Sequence, residues 1–441
     1  MTGGDLLAHG IGGQKDLPIP LNLTIAGGVA ALVISFTVLA VAWRKPRYDA
    51  ATRGLTAPTL LQNLVGSASF RVGLRVLGML IFLFTAFCAI FGRDSAINPF
   101  FGIFYILLWV GIVPLSLLFG PFYKAISPVR TINLLFAKLA GSDADEGLYR
   151  YPVRLGMWPA ALGLFAFVWL ELVYPGMAEL GPVRLWCAAY VAVMLVGGAL
   201  FGNTFYENAD PFEVYSSLVG KLSVWAVRDG QLLLRSPLAN LSTVAPTAGL
   251  FAVMGVLFGS TGFDSFGEST AWVTFVQGSS INGQVLKNLA LIGFCAGAAA
   301  ILAIGSMLTG VGPEQRRRGL PDAFAFSLVP IVVGYMAAHY LTYLLEIGSR
   351  TISQASDPLS RGANIFGTAD LKDLTWLSYH PTLLATIKVL AVVLGHVLAA
   401  IVAHDRALRL LPARHQLTGQ LPLLFAMVTF TAGGLYLLFS S

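Results

Sequence analysis

Residues 22–43 read NLTIAGGVAALVISFTVLAVAW and run straight into Arg44-Lys45-Pro46-Arg47. A helix of this length rises about 33 Å at about 1.5 Å per residue, enough to cross a hydrocarbon slab about 30 Å thick. The run carries no charge, and no small-residue cleavage pattern precedes the basic cluster, so it reads as an anchor that stays rather than a removed signal. Nine further stretches qualify, near 76–92, 99–120, 156–174, 184–202, 242–260, 288–312, 323–347, 383–403 and 420–439. They are continuous rather than short and alternating, which excludes an outer-membrane barrel. The expected fold is all-α: a polytopic transmembrane bundle of about ten spanning helices in one integral membrane domain covering 1–441.

Composition agrees. Apolar residues make up 56% of the chain and charged residues 11%, against roughly a quarter in soluble domains. With a mean hydropathy of +0.74, too few polar side chains remain to coat a soluble globule. A soluble enzyme, a secreted disulfide scaffold and a disordered regulator are thereby excluded. Cys88, Cys187 and Cys295 all fall in apolar runs and read as small core-filling thiols. Lipid is the partner that the composition dictates, and nucleic acid is not expected.

The Lys/Arg bias of the loops sets the direction. With the N-terminus outside and ten alternating helices, twenty of the 28 basic residues lie inside, including Arg44, Lys45, Arg47 and Arg316–Arg318; seven lie outside, and Lys388 sits within a helix. Both termini are then expected outside. The inner connection 121–155 opens with PFYKAISPVRTINLLFAKLAG, a basic amphipathic pattern suited to the inner leaflet. The second inner connection, 203–241, contains Asp210-Pro211-Phe212-Glu213, a capping Asp before a first-turn Pro, which marks a helix start more than a catalytic motif. The outer side has the Gly/Ser-rich loop 261–287 and the long loop 348–382.

Ionisable residues inside the hydrocarbon are the default functional candidates. They concentrate in GYMAAHYLTYLLE, with Tyr335, His339, Tyr340, Tyr343 and Glu346, and in IKVLAVVLGHVLAAIVAHDRAL, with Lys388, His396, His404, Asp405 and Arg406. Helical rise places His339 and Lys388 in the outer half, level with Glu346, His380 and the outer tail that bears His9 and Asp16. His9, His339 and His380 are candidate ligands for a divalent metal, zinc foremost, because imidazole is an ordinary zinc ligand. Glu346 and Lys388 are the candidates for acid–base work beside it. No HExxH supports the metal locally, and His339 and His396 read as well as buried polar residues bonded to Tyr or backbone groups, or as haem ligands. Lys388, five residues inside its helix, is expected to snorkel outward, and Asp405 to pair with Arg409 at i,i+4. The chain has no Walker loop, dinucleotide fingerprint, GxSxG or CxxCH.

Four stretches, AHGIGGQKDLPIP (8–20), ADPFEVYSSLVGKLSVW (209–225), GYMAAHYLTYLLE (334–346) and GHVLAAIVAHDRAL (395–408), resemble bacterial polytopic membrane proteins of the fenitrothion hydrolase-like group. The resemblance implies a multi-pass protein of the bacterial inner membrane that hydrolyses apolar organophosphate triesters. It carries no catalytic assignment onto these positions. A metal-dependent hydrolase, a transporter or channel lined by Lys388, His339 and Glu346, and a scaffold subunit are the three expectations.

Overall fold

The computed structural model describes residues 16–48, 54–311, 316–412, 415–416 and 418–439. It is a bundle of apolar helices, and a helix stands in each of the ten apolar runs. Among the described residues, eight helices are long and apolar enough to cross a membrane: Leu21–Ala42, Ala68–Phe91, Leu180–Phe201, Leu250–Gly267, Gly283–Met307, Arg317–Gln354, Pro381–Leu410 and Thr418–Phe439. The pair Pro99–Val110 and Ile112–Phe119, bent by 43°, passes the same test when taken together, as a broken span or a re-entrant loop. The tenth run forms the 15-residue helix Trp158–Leu172, about 22 Å long at 1.5 Å per residue and short for a full crossing. The run expected at 242–260 is displaced: its helix starts at Leu250 and continues to Gly267, through residues read from sequence as an outer loop.

The chain divides into two compact units, each drawn from discontinuous stretches. The first comprises Met1–Ala8, Arg53–Pro237 and Tyr343–Thr375; the second comprises His9–Thr52, Leu238–Thr342 and Trp376–Ser441.

In the second unit, Leu21–Ala42 packs against Pro381–Leu410 and Leu421–Phe439, while Leu250–Gly267 packs along Gly283–Met307. Its core gathers Leu21, Tyr335, Ala338, Ala385, Val392, Leu435 and Phe439. Lipid gives helices no hydrophobic drive to associate, so small residues that allow close backbone approach matter more. Gly334 and Gly395 supply this here: a Cβ on Gly334 would strike the carbonyl of Ala391, and one on Gly395 the carbonyl of Pro330. Gly395→Val should therefore lower stability by about 1–3 kcal/mol, the usual range for overpacking, read as a lower melting temperature in detergent. An unchanged melting temperature would mean that the two helices do not cross there.

In the first unit the two connections expected on the inner side are ordered. Residues 121–140 form two short helices, Phe122–Ile126 and Pro128–Leu139, broken where Ser127 caps the second. After the Leu180–Phe201 helix the chain reverses at Gly202, which has φ +64. Helix Asn203–Ala209 then runs back along its predecessor, with Phe205 against Gly197, Tyr206 against Gly198 and the Tyr190 hydroxyl donating to Asp210 Oδ1 at 3.0 Å. Asp210 caps helix Pro211–Gly220 by accepting from the Phe212 and Glu213 N–H groups, as its sequence promises. Glu213 meets Arg130 through two bonds of 2.5 and 2.6 Å. Strands Trp225–Arg228 and Gln231–Leu234 pair as a hairpin, and Leu55–Thr56 adds to the latter.

Burial, then the neighbouring Glu213 carboxylate, pushes the Asp210 pKa up to about 7. The folded state thus holds a proton that the unfolded chain releases near pH 3.9, so this group's contribution to stability is full at low pH and lost as pH rises through about 7. Asp210→Asn keeps the cap and removes the titration. Melting scans should show a shallower fall in stability between about pH 4 and about pH 7 for the variant; parallel curves would contradict the shift.

Candidate intramembrane polar site

On the Leu250–Gly267 helix, Thr261, Asp264 and Ser265 lie at i, i+3 and i+4, with Glu268 following at i+7 as the cap residue, so the four share one face. That face meets the Val329–Gln354 helix where it presents Tyr335, His339 and Tyr340. All five of Asp264, Ser265, Tyr335, His339 and Tyr340 are buried. Asp264 Oδ2 lies 2.9 Å from His339 Nε2 and accepts from the Tyr340 hydroxyl at 2.6 Å. The other ring nitrogen, Nδ1, lies 3.2 Å from Ser265 Oγ, which is also 3.1 Å from the Tyr335 hydroxyl and 3.3 Å from the Thr261 carbonyl. A carboxylate facing Nε2 keeps a proton on that nitrogen, so the state of the ring is decided at Nδ1.

Ser265 can serve either state. With a neutral imidazole, Ser265 donates to Nδ1 and accepts from Tyr335. With an imidazolium, Nδ1–H donates to Ser265, whose hydroxyl proton turns to the Thr261 carbonyl. No heavy atom need move for the ring to gain or lose a proton.

Lys388 does not snorkel. It is 1% exposed on the Pro381–Leu410 helix, and the acidic groups acting on it are Glu268 and Asp16. Glu268 closes the same polar face that carries Asp264, so the second unit gathers acidic residues, a histidine and a lysine on its helices. Lower on the Lys388 helix, His396 Nδ1 bonds the Val392 carbonyl at 2.8 Å, and His404 bonds Gln420 Oε1 and the Trp43 carbonyl at 3.1 and 2.9 Å. Asp405 pairs with Arg409 at 3.2 Å, as the i,i+4 spacing anticipates, and also accepts from the Arg47 N–H at 2.6 Å.

The proposed metal ligands are placed as follows. His339 has one ring nitrogen against Asp264 and the other against Ser265. His380 is exposed at the start of its helix, its Nδ1 bonded to the Trp376 carbonyl at 2.8 Å and its ring 4.4 Å from that indole. Glu346, half-buried, continues the His339 helix within the stretch assigned to the first unit, and His9 lies outside the described residues. Among the described residues, no group of three or more His, Cys, Asp or Glu side chains is arranged to hold a metal ion.

Sequence reasoning found His339, Tyr335 and Tyr340 but missed Asp264 and Ser265, because the polar run STGFDSFGEST ended the apolar window at Ser260. The available signal was the i, i+3, i+4, i+7 spacing of its Thr, Asp, Ser and Glu. Asp264→Ala would strand the Tyr340 hydroxyl and His339 Nε2, and should lower stability by about 1–3 kcal/mol per buried group left unsatisfied. Tyr340→Phe, which removes one donor and leaves the carboxylate its histidine, should have the smaller effect in the same denaturation assay. Equal losses would show that His339 is not held by Asp264.

Comparison with known protein families, curated proteins and solved structures finds no match to this chain.

Proposed function

We propose that this integral membrane protein is a proton-exchanging transporter, with Asp264 and His339 as its proton-binding pair. The observation that supports it is the 2.9 Å carboxylate–imidazole contact, buried inside two membrane helices and bonded to a serine that accommodates both states of the ring. Ionisable residues within spans are costly unless paired, and they mark ion paths and proton relays. Lys388, with Glu268 and Asp16 acting on it, supplies a further titratable group in the same unit. Counted over ten crossings, Trp158–Leu172 included, the distribution of basic residues supports both termini outside.

The test is charge movement. Proteoliposomes of the full chain adsorbed on a solid-supported membrane should give a transient current on a pH jump, absent in His339→Gln and altered in its pH dependence in Asp264→Asn. A signal no larger than that of empty liposomes, or one unchanged by Asp264→Asn, would overturn the proposal.

Hydrolysis is the second reading, and one contact favours it. Ser265 Oγ, His339 and Asp264 stand in the order of nucleophile, base and orienting carboxylate, at 3.2 and 2.9 Å. In this reading Ser265 Oγ attacks an apolar ester or phosphotriester delivered from the bilayer, while its proton passes to His339 Nδ1. The departing alkoxide takes that proton, and water later cleaves the Ser265 adduct. The reading rests on Ser265 rather than on a zinc ion, for which the described residues offer no three-ligand group. A fluorophosphonate probe should then label the wild type and not Ser265→Ala; absence of labelling on the wild type would remove this reading.

A further inference from the structure

The first unit holds a second carboxylate in an apolar setting. Glu171, near the end of the Trp158–Leu172 helix, is 3% exposed. The neighbouring span is unusual: residues Gly102–Val110 are wound as a π-helix before the bend. Such winding is rare and collects at functional sites. It carries Tyr105 and Trp109. Helix Pro211–Gly220, which follows the turn at Asp210, contributes Tyr215. The Trp109 and Tyr215 rings lie 5.0 Å apart, and Trp109 also packs 4.8 Å from Phe167, one helical turn before Glu171.

Two polar atoms in this layer are unpaired. Among the described residues, neither the Trp109 indole N–H nor the Tyr215 hydroxyl has a hydrogen-bond partner, although both residues are fully buried. The indole can only donate, so what satisfies it must accept. The charged group acting on Tyr215 is Glu171, which also leads those acting on Tyr105, followed by Cys187 of the Leu180–Phe201 helix and Tyr343 of Val329–Gln354. None of these neighbours is basic. The Tyr105 hydroxyl is committed elsewhere, donating to the Met177 carbonyl at 2.9 Å.

We propose that Trp109, Tyr215 and Glu171 bind a water molecule, and that this hydrated carboxyl is a second internal proton-binding site. A water accepts from the indole and the phenol and donates to the carboxylate, the three bonds typical of buried water. It would also give the proton a way on and off Glu171 that the surrounding aromatic rings do not. Every residue of the site belongs to the first unit, so the inference stands apart from the Asp264–His339 reading.

Infrared difference spectroscopy on the full chain in lipid nanodiscs, stepping pH in H2O and D2O, tests it. Besides the band that Asp210→Asn removes, the wild type should show a second titrating protonated-carboxyl band and a sharp O–H stretch of bound water. Glu171→Gln should remove this second carboxyl band, Tyr215→Phe and Trp109→Phe should shift it and remove the water stretch, and Asp264→Asn should leave both. With the Asp210 band accounted for by Asp210→Asn, survival of the second carboxyl band in Glu171→Gln would overturn the proton site. Should that variant fail to fold, spectra unchanged by Tyr215→Phe and Trp109→Phe would overturn the proposal equally.

Discussion

A carboxylate that enters a membrane helix must be met by groups on neighbouring helices, since neither lipid nor its own backbone can solvate it. In this chain that demand falls on Asp264, and the surrounding structure answers it. The Leu250–Gly267 helix is buried over most of its length, with Ser260, Thr261 and Ser265 beside the acid. The Val329–Gln354 helix brings His339 and Tyr340 to one carboxylate oxygen. That helix is set against Pro381–Leu410 through Gly334 and Gly395, which keeps Tyr335 in the unit's core while its hydroxyl reaches Ser265. The polar site and the close helix packing are thus one arrangement.

A purely structural role would call for no more than a satisfied carboxylate. What the site holds beyond that is a serine with a donor on one side and acceptors on two others, so that the imidazole finds partners whether neutral or charged. A lysine buried on the next helix, with Glu268 and Asp16 acting on it, concentrates titratable groups in this unit.

Much of the fold was legible because the apolar runs are long and each formed a helix. The Asp210 cap and the Asp405–Arg409 pair were legible too, since both are local and depend on spacing alone. The hairpin was legible and overlooked: Asp229-Gly230 is the dipeptide for a two-residue turn, and both residues have positive φ, 50 and 75. The site was half legible. His339 stood out as a histidine in an apolar span, whereas Asp264 hid beyond the window's edge, where several polar residues on one helix face average out as a loop. Lys388 could not be placed from sequence, because reach toward water and enclosure by acidic neighbours depend on which helices surround it. The expected grouping of His339 with His380 combined residues at one depth, and depth alone says nothing of the partners each finds: His380 turns to the Trp376 carbonyl and His339 to Asp264.

The central claim is that the Asp264–His339 pair takes up and releases a proton inside the membrane at His339 Nδ1, with Asp264 holding the proton on Nε2. Solid-state NMR of the full chain in lipid, with 15N-labelled histidine and His339 assigned by substitution, tests it most directly. The expected result is that Nδ1 of His339 changes protonation within the pH range at which the protein stays folded while Nε2 keeps its proton, and that Asp264→Asn moves the transition. Ring nitrogens of His339 that hold one fixed state across the pH range at which the protein stays folded would contradict it.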